Sequence, residues 1–204
     1  MTTDALFEKL KHPNPHMRDR AMYEIADSRD ENTISRLVAI LDDQDVVYRR
    51  AAVKALGAIG EDAIPPVVDA MLNSENVTVR GSAAKVLAQI AINYPELPFP
   101  EVGLQGLKKA IDDANPVVHI AAVMALGQMG SSAFEILVES LNTTDNVAVQ
   151  VAIVSALASV GDRRCVEILT RFANDEAVDS YVRESATSSL SRLDLVMNYK
   201  RADS

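Results

Sequence analysis

The chain has 204 residues, a net charge of −9 and a hydrophobic content of 48%, with no Trp, four Phe and five Tyr. That acidic balance weighs against a phosphate-backbone ligand, and no apolar run reaches the roughly 18 residues that a membrane-spanning helix needs. The single cysteine, Cys165, excludes an internal disulfide and fits a reducing compartment, and the opening MTTDALFEKLKHPNP lacks a secretory apolar stretch.

In chain order the sequence divides into six similar segments, near 5–30, 31–62, 63–92, 103–132, 133–163 and 164–194. The second shows the design. Ile34, Leu37, Val38 and Leu41 recur at helical spacing, and the polar DDQD follows as a turn. Asp45 then stands where an N-cap belongs, as do Asn14, Asn76, Asn115, Asn146 and Asp179 in the other segments. Proline directly after Asn14 and Asn115 suits a first helical position.

Four residues beyond each cap stands a rung: Arg18, Arg49, Arg80, His119, Gln150 and Arg183, at steps of 31, 31, 39, 31 and 33. Seven residues further lies a core aliphatic, Ile25, Leu56, Leu87, Leu126, Leu157 or Leu190. Gly60, Gly130 and Gly161 read as left-handed C-caps of the second helices. A period in this range signals stacked helical repeats. The expected fold is therefore all-α: one right-handed α-solenoid of about six short helical hairpins over 1–204, with a loop insertion at 91–103 and a tail at 195–204. The rungs read as scaffold, each arginine bridging the Asx turn of a neighbouring repeat. His119 and Gln150 read as neutral packing variants of the same position, and His119 is also kept as a binding candidate.

The stretches DVVYRRAAVKALGAIGEDA, NVTVRGSAAKVLAQIA, NPVVHIAAVMALGQMG and SYVRESATSSLSRL resemble the HEAT-repeat family over residues 5–194. The short period is similar to that of the E/F-type phycobilin lyase subclass. The resemblance implies a lyase subunit or lyase-like chaperone that binds bilin, phycobiliprotein subunits or both during chromophore attachment and phycobilisome biogenesis. It further implies bilin as substrate rather than as a permanent cofactor. The implied partners are a phycobiliprotein subunit and a second HEAT-repeat lyase subunit, and the implied setting is the cytoplasm of a cyanobacterium or a plastid stroma. The alternative is a non-enzymatic interaction adaptor, including one for phycobilisome disassembly.

Helical geometry proposes where ligands go. In the second helix of repeat two, positions 48, 52, 56 and 59 form the core stripe, so 50, 54, 57 and 58 face a groove. The equivalent positions give a cationic patch, Arg50, Lys54 and Lys85, next to an apolar one, Ile120, Met124 and Val151, with Gln89 and Gln128 on the same groove face. Such a face suits an amphipathic ligand with carboxylates. Asp19, Tyr23 and Asp27 are weak candidates for proton transfer on the same face.

In the proline-rich insertion AINYPELPFPEVG, Tyr94 and Phe99 are candidate protein contacts. No histidine precedes a glutamate, the neighbours being Pro13, Met17 and Ile120, so no metal site is expected. Arg163 and Arg164 before Cys165 are of a kind to lower a thiol pKa.

Overall fold

The computed structural model describes residues 2–202, and side chains for residues 2–198. It contains helices and connecting turns, arranged as two compact units, Met1–Ala110 and Ile111–Ser204. The first unit holds α1 (Thr3–Lys9), α2 (Pro15–Asp27), α3 (Thr33–Ile40), α4 (Val46–Ile59), α5 (Ile64–Asn73), α6 (Val77–Asn93) and α7 (Glu101–Ala110). The second holds α8 (Pro116–Gly127), α9 (Phe134–Thr143), α10 (Val147–Val160), α11 (Arg164–Asn174) and α12 (Ser180–Ala202).

Each unit is a stack of helical hairpins, the architecture of an α-solenoid. In the first, α2, α4 and α6 pack side by side, α3, α5 and α7 form a second row, and α1, α3 and α5 each pack on the helix that follows. In the second, α8, α10 and α12 make one row, with α9 against α10 and α11 against α12. The core stripe of α4 is buried as its periodicity requires, with Ala52 and Leu56 inaccessible to solvent. The same holds for Leu87, Leu126 and Leu157, whereas Leu190 is only half-buried.

The helix starts follow the sequence closely. Asn14, Asp45, Asn76, Asn115 and Asn146 cap α2, α4, α6, α8 and α10, each side chain accepting from a backbone amide two residues on. Asp179 accepts from the Tyr181 amide at 2.8 Å in the same way. A cap of this kind contributes about 0.5–2 kcal/mol. The C-termini are less uniform. Gly161 ends α10 in the left-handed conformation, and Gly60 ends α4 at φ 81°, ψ −137°. Gly130 also has positive φ, but Gln128 rather than the glycine caps α8.

Four rungs, Arg18, Arg49, Arg80 and Gln150, bond to their own turns, where the sequence reading expects a bridge to a neighbour's turn; Arg183 Nε is buried without a hydrogen-bond partner. Arg49 Nη1 donates to the Asp43 carbonyl at 2.5 Å, Arg80 to Ser74 at 3.0 Å and Gln150 Nε2 to Thr144 at 2.9 Å. Arg18 donates to the carbonyls of His12 and Pro13. In all four cases the acceptor lies six residues back, in the turn that leads into the rung's own helix. The rung therefore closes its own hairpin turn, satisfying a carbonyl that no helix can use. Residues 195–202, which read as a tail, continue α12 without a break, and 203–204 lie outside the described residues.

Candidate functional site

The groove-facing positions sort into a different surface on each unit. On the second, α8 and α10 leave between them a cleft of about 380 Å³. Ile120 and Met124 of α8 and Ala148, Val151 and Ala152 of α10 line it, with Gln128, Ser155, Ser159 and Arg192 supplying its polar groups. Its floor is narrow backbone packing. A Cβ added at Gly127 would stand 3.2 Å from the Ala156 Cβ, so the two helices approach closely there. Met124 is 64% exposed although its neighbours Val123 and Ala125 are buried. An unbranched thioether presented to solvent on a rigid helix is an adaptable apolar contact. Arg192 reaches over from α12 and donates to the carbonyl and hydroxyl of Ser155, which places a cation beside this apolar surface.

On the first unit, Arg18, Asp19, Met22, Val47, Arg50, Ala51 and Lys54 surround a shallower recess of about 200 Å³ between α2 and α4. Lys54 Nζ lies 3.1 Å from the Asp19 carboxylate, an exposed pair of small energetic weight. Tyr23 and Asp27 are exposed on α2, and Lys85 is exposed on α6. Gln89 is half-buried: it covers Gly57, with its Cγ where a Cβ at that glycine would be, and donates to Asn93 at 2.9 Å. Gly57 therefore does not face a groove, contrary to the helical wheel, because the neighbouring helix α6 lies over it. Gly81, in line with Arg50, is buried as well.

His119 does not point into either surface as an exposed ligand. It is 8% exposed, and its Nε2 is buried without a hydrogen-bond partner. The expectation of a satisfied packing variant is thus corrected: the imidazole takes the rung position but leaves a nitrogen unsatisfied.

Tyr94 and Phe99 are structural as well as peripheral. The Tyr94 hydroxyl donates to the Ala58 carbonyl at 2.5 Å and its ring lies against Gly60, while the Phe99 ring lies against Gly103. Cys165 is also corrected. Burial, with the Asp162 carboxylate next, pushes its thiol up to about 11, so adjacency to two arginines does not activate it.

The repeat signature, the caps and the stacked hairpins agree with one family. HEAT repeats match residues 3–97 and 104–191. The chain belongs to the HEAT-repeat family. The gap between the two matched stretches falls in the proline-rich segment, where this HEAT-repeat chain departs from its own period.

Among relatives, the chain is 53% identical over 201 residues to the "Uncharacterized phycocyanin operon protein Z" of Pseudanabaena tenuis (strain PCC 7409), covering 98% of this chain and 100% of that one. It is 34% identical over 168 residues to the "Bilin biosynthesis protein CpeZ" of Synechococcus sp. (strain WH8020), covering 79% and 90%. The solved complex of CpcE and CpcF of phycocyanin lyase from Nostoc sp. PCC7120 compares at a TM-score of 0.49 and 23% identity, covering 76% of this chain and 96% of that one. Among the described residues no helix of this HEAT-repeat protein is long and apolar enough to cross a membrane.

The sequence pattern underweights three contributors to the second cleft. Arg192 sits at a groove position, but its reach across to α10 depends on the α10–α12 packing. Ala148 and Ala152 lack any chemical signal of their own. They matter because small side chains leave the room that Met124 and Val151 border.

Proposed function

We propose that this HEAT-repeat protein serves phycobiliprotein maturation, holding a bilin or a phycobiliprotein subunit while the chromophore is attached, as a lyase subunit or lyase-like chaperone. The observation that carries the reading is the cleft between α8 and α10, an apolar surface edged by one guanidinium and a few hydroxyls. An open-chain tetrapyrrole has matching chemistry: a long conjugated apolar body with two propionates. Met124, Ile120 and Val151 would lie against pyrrole rings, and Arg192 would meet a carboxylate by a charge-assisted hydrogen bond. The names of the two relatives, which refer to a phycocyanin operon and to bilin biosynthesis, support the same substrate class.

The chemistry asked of this chain is positioning. The thiol that adds to the bilin belongs to the acceptor subunit, since Cys165 is buried and held protonated. Fixing acceptor and bilin in one geometry removes translational freedom from the addition. Arg50 and Lys54 at the recess between α2 and α4, and Lys85 exposed on α6, would offer cations to carboxylates of the bilin or of the acceptor. A second HEAT-repeat subunit completes the working assembly in this reading, in the cytosol or plastid stroma.

The test is co-expression with an apo-phycobiliprotein subunit and a bilin supply. Covalent, correctly coloured product that depends on this chain supports the lyase role. Raised acceptor solubility without faster attachment supports the chaperone role. Met124→Glu, and separately Arg50→Glu with Lys54→Glu, should suppress either outcome while helix content is unchanged. No effect of the chain on acceptor or bilin would reject the proposal.

A further inference from the structure

The departure from the repeat period builds a second recess, remote in character from the α8–α10 cleft. It measures about 180 Å³ and is floored by Ile59, Ile64 and Ile90, with Leu97 and Pro98 on its wall. Three features show that it is a formed site rather than a slack loop. The Tyr94 ring is seated on Gly60, whose φ of +81° no side chain would tolerate easily, and its hydroxyl is tied to Ala58. The Phe99 ring is seated on Gly103, where an added Cβ would come within 2.4 Å of it. Pro95, Pro98 and Pro100 fix backbone angles between these two anchors, so little conformational freedom remains to be lost on binding.

What this segment presents outward is apolar. Leu97 is 63% exposed, and Ile92 and Val102, before and after it in the chain, are exposed too. The rim is acidic. Glu61 borders the recess, and Glu96 and Glu101 are exposed beside Leu97 and Pro100. None of these three carboxylates has a cationic partner among the described residues; Glu101 accepts only from Gln105. On the same unit Asp4 is paired with Arg36, Asp62 with Arg29 and Asp19 with Lys54, while Asp27, Glu31 and Glu75 are exposed without an ion pair among the described residues but do not line the recess. An apolar, preformed recess with the unpaired Glu61 in its lining, and Glu96 and Glu101 next to lining residues in the chain, complements an apolar side chain flanked by cations.

We infer that the recess between Ile64, Ile90 and the 94–100 segment is a docking site for an extended segment of a partner protein in which a bulky apolar residue is flanked by lysine or arginine. The apolar residue enters beside Leu97, and its basic neighbours meet Glu61 and Glu96. The proline-rich wall offers few amide donors, so recognition runs through side chains rather than through strand pairing. This site is independent of the bilin reading, because it uses none of the α8–α10 cleft residues.

The probe is a fluorescein-labelled peptide, Lys-Arg-Leu-Phe-Lys-Arg, with Glu-Glu-Leu-Phe-Glu-Glu as its control, titrated into the full chain with isoleucine and leucine methyl groups isotopically labelled. The basic peptide should bind, more weakly as salt is raised, and should shift the methyl resonances of Ile59, Ile64, Ile90 and Leu97. Leu97→Ser should weaken it about tenfold, and Glu61→Lys with Glu96→Lys should reverse the preference to the acidic peptide. Both variants alter exposed side chains, and an unchanged helical spectrum confirms that they fold. Equal binding of the two peptides, shifts at Ile120 instead of the recess, or unaltered preference in the charge-reversed variant would overturn the inference. So would a concentration-dependent dimer that Leu97→Ser dissolves, which assigns the recess to a second copy of the chain.

Discussion

His119→Arg should stabilise the protein. The imidazole occupies a rung position, more than nine-tenths buried, with Nε2 unpartnered. A buried nitrogen without a partner costs about 1–3 kcal/mol. An arginine there has the reach to donate to the carbonyl of Asp113, six residues back, as Arg18, Arg49 and Arg80 do in their own turns. The new hydrogen bond is charge-assisted and adds about 1.5–3 kcal/mol, against up to about 2 kcal/mol of lost side-chain freedom. The net expectation is about 1–2 kcal/mol, and at about 2–4 °C per kcal/mol for a chain of this size the Tm rises by several degrees. The converse exchange, Arg49→His, should cost a similar amount, because it removes the donor from the Asp43 carbonyl. Urea unfolding of both variants, followed by circular dichroism and by calorimetry, measures the pair. A destabilised His119→Arg protein, or a neutral Arg49→His, would refute the account of the rungs as closers of their own turns.

The Arg164 guanidinium, with the Arg164 amide, holds the Asp162 carboxyl down at about 2. Its folded pKa is depressed, so its contribution is present above about pH 4 and is lost as pH falls towards 2. Allowing for the half-exposed partner, Asp162→Asn should cost about 1 kcal/mol at pH 7 and nothing at pH 2, read as Tm against pH. The Cys165 thiol, raised to about 11 by burial, favours the folded state below about pH 9, and that contribution is lost as pH climbs to 11. In native protein at pH 8 it should react with a disulfide reagent far more slowly than in urea; equal rates would contradict its burial. Gly60→Ala forces a Cβ to 2.9 Å from the Tyr94 ring at positive φ and should cost about 1–3 kcal/mol by urea unfolding, whereas Gly130→Ala, with open space around it, should cost less.

Local signals were the readable ones. A cap is settled within three residues, and Asn14, Asp45, Asn76, Asn115, Asn146 and Asp179 all act as their positions predict. The core stripe of α4 was equally legible, since a helix with one buried face must repeat its apolar residues at the helical period. Sequence and structure part wherever a second element decides the outcome. Gly57 lay on the open side of a wheel drawn for α4 alone, and Gln89 from α6 covers it. Cys165 follows two arginines, yet chain adjacency says nothing about desolvation, which dominates. The ladder of rungs was visible but its target was not, because the position of a turn carbonyl relative to a helix six residues on depends on how the turn closes. For the candidate site, Ile120, Met124 and Val151 were named from the pattern and line one cleft, while Arg192 needed the packing of α12 on α10.

Because Arg18, Arg49, Arg80 and Gln150 each donate to a carbonyl six residues back, a hairpin carries this part of its turn chemistry wherever it is spliced. Deleting or duplicating one segment of about 31 residues leaves these rung bonds intact; the apolar faces and the bonds between neighbouring turns, such as that from the Asn76 side-chain amide to the Asp42 carboxylate, must be rejoined. Such short-range closure also keeps native contacts local, which favours fast assembly of each hairpin. Recombination of such segments can change the binding faces while each rung closure travels with its own hairpin.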